Sequence, residues 1–396
     1  MEKAIPAASL QQVQTIPSLE QELSKLSIQP PVKFTLSGLE KFIEYIRLKG
    51  HDKLVDAALL HCLSVTRLNG STDSNKEVRI MPFEGSEKLQ SGGIYYGQCV
   101  NGMRDGYGLL YCTDNDADLL LYECHWKEGK PTEGELIVIF KNKWSKYEGK
   151  FDDRLLRAGV GSYQHEDGAS YVGEFKDGQM SGDGKMNYLD GASYIGGFHD
   201  GKKNGHGKFI YPDGEFYDGQ WEDGQRCGYG KMVTSDGETY EGQWKHGRTN
   251  GQGKFTQADG KTLEGEWLDD KLNGYGKYTS PDGEAYEGEW QFGIIQGKGK
   301  HTFPDGRIYQ GQYKDGNFHG KGKCTLSNQD SYEGEYVDGS MHGLGKLTYS
   351  DGEFYVGQWE EGKRIGLHKF YSKEHTLLYL KTFDTDGKLA KIVESL

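Results

Sequence analysis

Apolar or glycine positions and polar positions alternate along most of this chain, in short runs broken by glycine. Tyr240-Glu241-Gly242-Gln243-Trp244 is one such run: every second position is aromatic or glycine, and the residues between are polar. A period of two is the signature of a strand that shows one face to a core. Gly247 breaks the run, Gly251-Gln252-Gly253-Lys254-Phe255 begins a second, and Asp259-Gly260 is a turn dipeptide suited to positive φ. Such a block predicts a β-hairpin that hands over to the next hairpin through an Asp-Gly turn.

The block recurs at residues 171, 194, 217, 240, 263, 286, 309, 332 and 355, a fixed spacing of 23 residues. Its consensus is Tyr-x-Gly-x-(Phe/Trp/Tyr), then Gly, then Gly-x-Gly-Lys, then Asp-Gly; Leu263 and Asp270 are departures inside the run. Upstream, Tyr147-Glu148-Gly149-Lys150-Phe151 opens a unit with one inserted residue, and more degenerate units open at Tyr122 and Tyr95. A fixed period of this length predicts a repeat architecture in which each unit packs on its neighbours. The expected fold class is mainly β: an elongated single-sheet solenoid of about twelve antiparallel hairpins.

Non-repeat sequence flanks this array. Residues 1–36, with Pro6, Pro17, Pro30 and Pro31 and few large apolar residues, predict a flexible arm. Ser37-Gly38-Leu39-Glu40 is a capping-box signature, and Leu39, Phe42, Ile43 and Ile46 follow at helical spacing. Asp52 caps a second helix with Leu54, Val55, Ala58, Leu59 and Cys62 on its apolar side. Together they predict a helical hairpin over residues 37–70, placed to cover the open edge of the first β-hairpin. Residues 71–91 read as a linker, 92–368 as the array and 369–396 as a C-terminal strand/helix cap. In that cap Leu377-Leu378-Tyr379-Leu380 is a closing strand, and Leu389, Ile392, Val393 and Leu396 share one face of a short helix.

Counting the first Tyr of a unit as position 0, positions 0, 2, 4, 11, 13 and 15 share a face, which carries Tyr240, Gly242, Trp244, Gly251, Gly253 and Phe255. Glycine between aromatics leaves a slot for a neighbouring ring, so this face predicts a stacked aromatic stripe. Its most regular stretch, Tyr217, Trp221, Tyr240, Trp244, Trp267, Tyr286 and Trp290, is the candidate interaction groove, since Tyr and Trp are frequent interface anchors. The other face has acidic rows, Glu241, Glu264, Glu287 and Glu333 in one register and Glu174, Glu266, Glu289 and Glu335 in another. It also has a lysine ladder: Lys185, Lys208, Lys231, Lys254, Lys277, Lys300, Lys323 and Lys346. Cross-strand pairing of opposite charges accounts for these rows; a ladder for lipid headgroups is the alternative.

The unit resembles the MORN (membrane occupation and recognition nexus) repeat, Tyr-x-Gly-x-(Phe/Trp)-x-x-Gly-x-x-x-Gly-x-Gly. Tyr171-Val172-Gly173-Glu174-Phe175, Gly178, Gly182 and Gly184 follow that pattern position for position, and the resemblance covers residues 92–368. It implies a hairpin array used for protein association, dimerisation or membrane apposition. Similar arrays occur in radial-spoke head proteins of cilia, junctophilins, protozoan cytoskeletal proteins and plant phosphoinositide kinases.

The remaining chemistry is sparse. A net charge of −13 argues against nucleic acid as a partner. The histidines form no His-Glu-x-x-His, and Gly182-Asp183-Gly184-Lys185 and its siblings lie within predicted hairpins with no helix following, unlike a phosphate loop. The six cysteines have no Cys-x-x-Cys spacing and read as free thiols of a reducing cytosol. No run is long and apolar enough to span a membrane. We expect no catalytic, cofactor or metal site. The expected function is a non-enzymatic scaffold for protein assembly in a cytoskeletal complex, with the ciliary axoneme as its most specific placement and a homodimer as an option. The alternatives are a peripheral membrane or phosphoinositide-binding tether, and a regulatory adaptor for a soluble enzyme or trafficking partner.

Overall fold

The computed structural model describes residues 32–86 and 88–394. The expected flexible arm lies mostly, and Leu396 wholly, outside the described residues. The chain divides into two units, residues 1–202 and 203–396. Within each, strands follow in sequence order and every strand pairs antiparallel with the next, as alternating runs joined by short turns dictate.

The sheet of the first unit begins earlier than expected. Glu77–Phe83, inside the segment read as a linker, is a strand that pairs with Gly93–Val100 from Glu77↔Cys99 to Phe83↔Gly93. The signal was present but short: Val78 is buried and Ile80 half-buried, while Pro82 suits an edge strand. Among the described residues three helices, not two, precede it: α1 (Leu36–Leu48), α2 (Asp52–Leu60) and α3 (Val65–Gly70). The N-cap of α1 is Thr35, whose hydroxyl accepts from the Gly38 N–H, and Ser37 is already helical. Cys62, at φ 69°, breaks the chain after α2, and Ser64 caps α3 by accepting from the Arg67 N–H.

The helices cover a face of the sheet, not its edge. Leu39, Phe42, Ile46, Leu54, Val55 and Ala58 share a core with Tyr96, Leu109, Tyr111, Leu121, Ile137 and Ile139. Leu109 stands where later units place the ladder lysine, so the normally polar face is apolar where the helices dock. Leu59 and Cys62, expected on the apolar side of α2, are exposed, and Ala57 is buried instead. Behind this core Arg67 of α3 reaches the sheet, with Nε 3.0 Å from Glu123 Oε1 and a second nitrogen 2.6 Å from Glu135 Oε1.

In the second unit two turn types alternate. One closes each hairpin: Asp223 and Gly224, at φ 49° and 82°, lie between the paired Glu222 and Gln225, and two positive φ values define a type I′ turn. The other hands over to the next hairpin: the Gly237 N–H donates to Thr234 O at 3.1 Å, with Gly237 at φ 89°. Adjacent hairpins are also tied at the I′ turns, where the Gly247 N–H donates to Arg226 O (2.9 Å) and the Gly293 N–H to Leu272 O (2.8 Å). At the C-terminal end Leu377–Phe383 is the expected strand, but Leu389–Glu394 is a further strand, paired through Leu380↔Val393, and not a helix. The hand-over turn recurs there: the Gly387 N–H donates to Asp384 O, and Gly387 has φ 80°. That turn returns the chain antiparallel, which decides against the helix.

Candidate functional site

On the aromatic face the slot formed by the glycines is filled by the unit's own tyrosine. Tyr286 lies across Gly288 of its strand and Gly299 of the next; a Cβ on Gly299 would stand 2.3 Å from Tyr286 Oη and 2.6 Å from the ring. The Tyr286 hydroxyl donates to Glu289 O (3.2 Å), as Tyr217 does to Gln220 O (3.0 Å) and Tyr240 to Gln243 O (3.1 Å). At position 4 four tryptophans bind backwards, each indole N–H donating to the second glycine carbonyl of the preceding unit, whereas the buried Trp359 N–H has no such partner among the described residues. These bonds are Trp221 to Gly207 (2.8 Å), Trp244 to Gly230 (3.1 Å), Trp267 to Gly253 (2.9 Å) and Trp290 to Gly276 (3.1 Å).

The rings interlock edge to face. Tyr217 meets Trp221 and Trp244 with centroids at 5.1 and 5.2 Å, and Tyr240 meets Trp244 and Trp267 at 5.2 and 5.4 Å. Such pairs add about 0.5–1.5 kcal/mol each beyond area burial. The structure therefore brings the seven candidate-groove residues together as packed interior: six are buried, from Tyr217 at 0% to Trp267 at 9% exposed, and Trp290 is half-buried. Burial pushes the Tyr217, Tyr240 and Tyr286 phenols well above their ordinary value. Replacing Trp244 by Phe keeps an aromatic ring but deletes the bond to Gly230 O and leaves a void where the indole's second ring lay; it is expected to cost about 2 kcal/mol, read from a urea midpoint.

Sequence reasoning missed a row on this face. Position 9, the cross-strand partner of position 4, pairs Trp221↔Arg226, Trp267↔Leu272, Trp290↔Ile295 and Tyr313↔Phe318. Arg226 lays its guanidinium 4.5 Å from the Trp244 ring centroid and donates to Gly247 O at 2.9 Å. The two-residue I′ turn fixes this pairing, so its position was the available signal.

The first glycine of each Gly-x-Gly corrects the parity argument. Pairing slips by two between Gly242 and Trp244, so Gln243 faces three residues of the next strand, and Gly251 sits at φ 96°, which makes it a bulge. A Cβ on Gly251 would stand 2.0 Å from Gln243 Oε1, on the polar face and not the aromatic one. Position 3 plugs this bulge: Gln243 Oε1 accepts from the Gln252 N–H (3.0 Å), Glu289 Oε1 from Lys298 (3.2 Å) and Gln312 Oε1 from Lys321 (2.9 Å). Glu174, Glu266 and Glu335 stand over Gly182, Gly274 and Gly343 in the same way.

The other row of the polar face alternates in sign across the strands. Lys231, Glu241, Lys254, Glu264, Lys277, Glu287 and Lys300 are successive cross-strand neighbours. Lys231 lies 3.8 Å from Glu241 and Lys254 3.6 Å from Glu264. All four side chains are about half exposed, so each pair contributes little to stability. Lys208 and Lys346 instead place Nζ 3.9 Å from the ring centroids of Phe216 and Phe354. Lys185 sits between Val172 and Ile195, and Lys300 and Lys323 flank Gln310. Among the described residues no cluster of His, Cys, Asp or Glu is placed to hold a metal.

The family model described as MORN repeat matches residues 95–117, 171–193, 194–216, 217–239, 240–262, 264–285, 286–306, 309–331, 332–354 and 355–366. No curated protein matches the chain significantly. Among solved structures, the chain is similar to the G-box domain of the microcephaly protein CPAP, at 10% identity and TM-score 0.31 over 48% of this chain and 100% of that one. A mutant TCP10 domain of Danio rerio CPAP matches at 11% identity and TM-score 0.18, over 65% and 99% of the two chains. A streptogramin B lyase matches at 13% and 0.13, over 78% and 90%. Scores this low carry no functional argument.

Proposed function

The ten matched units make this chain a member of the MORN-repeat family, and on that premise we propose that it is a non-enzymatic scaffold for protein–protein assembly. One observation carries the reading: the aromatic face is filled by its own rings, while successive hairpins of the regular array present charged side chains on the polar face. A surface repeated hairpin by hairpin offers many equivalent contacts to an extended partner. The finer reading is a cytoskeletal complex, the ciliary axoneme in the manner of a radial-spoke head, with protein partners and a homodimer as its associations. Among the described residues no helix is long and apolar enough to cross a membrane.

Detergent extraction of cells that carry the tagged protein tests this. The expected result is retention in the detergent-insoluble fraction with axonemal markers. Release together with membrane lipids contradicts it and turns attention to the exposed lysines; release as a free soluble protein contradicts the cytoskeletal placement.

A further inference from the structure

At one unit of the alternating row both outward carboxylates give way to amides. Elsewhere in the second unit Lys254 lies between Glu241 and Glu264, and Lys277 between Glu264 and Glu287. At the unit that opens at Tyr309 both outward positions are amides, Gln310 and Gln312. Lysines flank them on all four sides: Lys300 and Lys323 beside Gln310, Lys298 across from Gln312 on one strand, and Lys321 beyond it. Position 12 is lysine only in these two neighbouring hairpins of the regular array. All four lysines are exposed and none makes an ion pair among the described residues. On one far side the carboxylates are partly engaged, Glu287 by the Tyr275 hydroxyl (3.0 Å) and Glu289 by the Lys298 N–H, and on the other Glu333 and Glu335 face Lys323 and Lys321 across the strands. A shallow cavity of about 560 Å³ opens here, lined by Lys298, Lys300, Lys321, Gln310 and Gln312 on one side and by Glu287 and Glu289 on the other, over a floor that includes Gly299 and Gly311.

We propose that this cavity docks an extended acidic segment of a partner protein, whose carboxylates take the places that glutamates hold in neighbouring units. The spacing fits. Alternate residues of an extended chain project on one side about 7 Å apart, the same interval that separates Lys298 from Lys300. A Glu-x-Glu segment laid along Gln310-Gly311-Gln312 sets one carboxylate between Lys300 and Lys323 and the other between Lys298 and Lys321. Charge complementarity thus fixes both partner chemistry and register. The inference rests on the scaffold reading and names its partner's chemistry.

The test is fluorescence anisotropy of the purified full chain with a labelled (Glu-Thr)4 peptide at low ionic strength. Binding is expected, weakened about tenfold in Gln310→Glu/Gln312→Glu and in Lys300→Gln/Lys323→Gln. The first variant copies the Glu-Gly-Glu that the units opening at Tyr286 and Tyr332 carry, so its fold is secured by precedent within the chain. A peptide of equal composition with its four glutamates in one block is expected to bind about fivefold more weakly. No binding, equal binding of the two peptides, or an unchanged affinity in the glutamate variant overturns the proposal. So does binding to phosphatidylserine vesicles without binding to the peptide. Since the probe is synthetic and the protein purified, failure here leaves the extraction result standing, and failure there leaves this affinity measurable.

Discussion

Tyr286→Ala is expected to destabilise residues 203–396 by about 4 kcal/mol, the range for deleting a large buried aromatic. The ring is 1% exposed, packs edge to face on Trp290 and Tyr313 at 5.2 and 5.3 Å, and covers Gly288 and Gly299. Gly299→Ala alone is expected to cost roughly 2–3 kcal/mol, because its Cβ enters the space of the Tyr286 ring. The two losses are not additive. With the ring gone, the three closest contacts of the added methyl disappear, and the alanine recovers part of the roughly 0.5–1 kcal/mol that glycine gives up in a strand. Urea denaturation of the single and double variants should yield a coupling of about 2 kcal/mol or more. Additive losses contradict the packing of tyrosine over glycine, and Lys300→Ala, outside this packing, should stay within about 0.5 kcal/mol of wild type.

Arg67→Ala is expected to cost the first unit about 3 kcal/mol, because it leaves a buried carboxylate without its cation. Glu123 is 7% exposed, and its remaining partner is the Tyr107 hydroxyl at 2.8 Å. Burial already raises the Glu123 pKa above its ordinary value, with Arg67 and Tyr107 opposing the rise. Removal of Arg67 raises it further. A carboxyl whose folded-state pKa exceeds its unfolded value binds more protons when folded, so its contribution to stability falls as pH rises through the folded value. The variant should therefore regain stability relative to wild type as pH falls from 7 towards the ordinary carboxylate range. Urea midpoints at pH 7, 6 and 5 measure this; a constant difference contradicts it. Glu123→Gln in the same background should recover part of the loss at pH 7.

The period and the alternation within each run made the hairpins legible, and Asp259-Gly260 marked its turn correctly, with Gly260 at φ 89°. The side of the sheet on which Tyr240 and Trp244 lie was also legible, and so was their burial. Three features were not. The bulge at Gly251 inserts two residues, turns Gly251 to the polar face and restores the alternation beyond it, so a count of two passes over it without a break. Docking of α1 and α2 on the sheet face depended on Leu109, Leu121 and Ile137, which lie in degenerate units where the consensus no longer says which face is polar. At the C-terminal end Leu389, Ile392 and Val393 fit a helical spacing, but Asp384-Thr385-Asp386-Gly387 is the hand-over turn of the array and takes precedence. Around Gln310 the departure from the consensus was visible in the sequence. The lysines' shared cavity was not, because it depends on which residues face one another across strands.

The aromatic face is interior, and we place partner binding on the polar face. Lysine acetylation footprinting tests it most directly, comparing the purified chain with the same chain in its native assembly. Lys298, Lys300, Lys321 and Lys323 are expected to lose reactivity in the assembly, while the Trp221, Trp244 and Trp267 environments, followed by oxidative labelling, stay unchanged. Lysines equally reactive in both states, with tryptophans newly protected, would contradict it and make the aromatic stripe the binding surface.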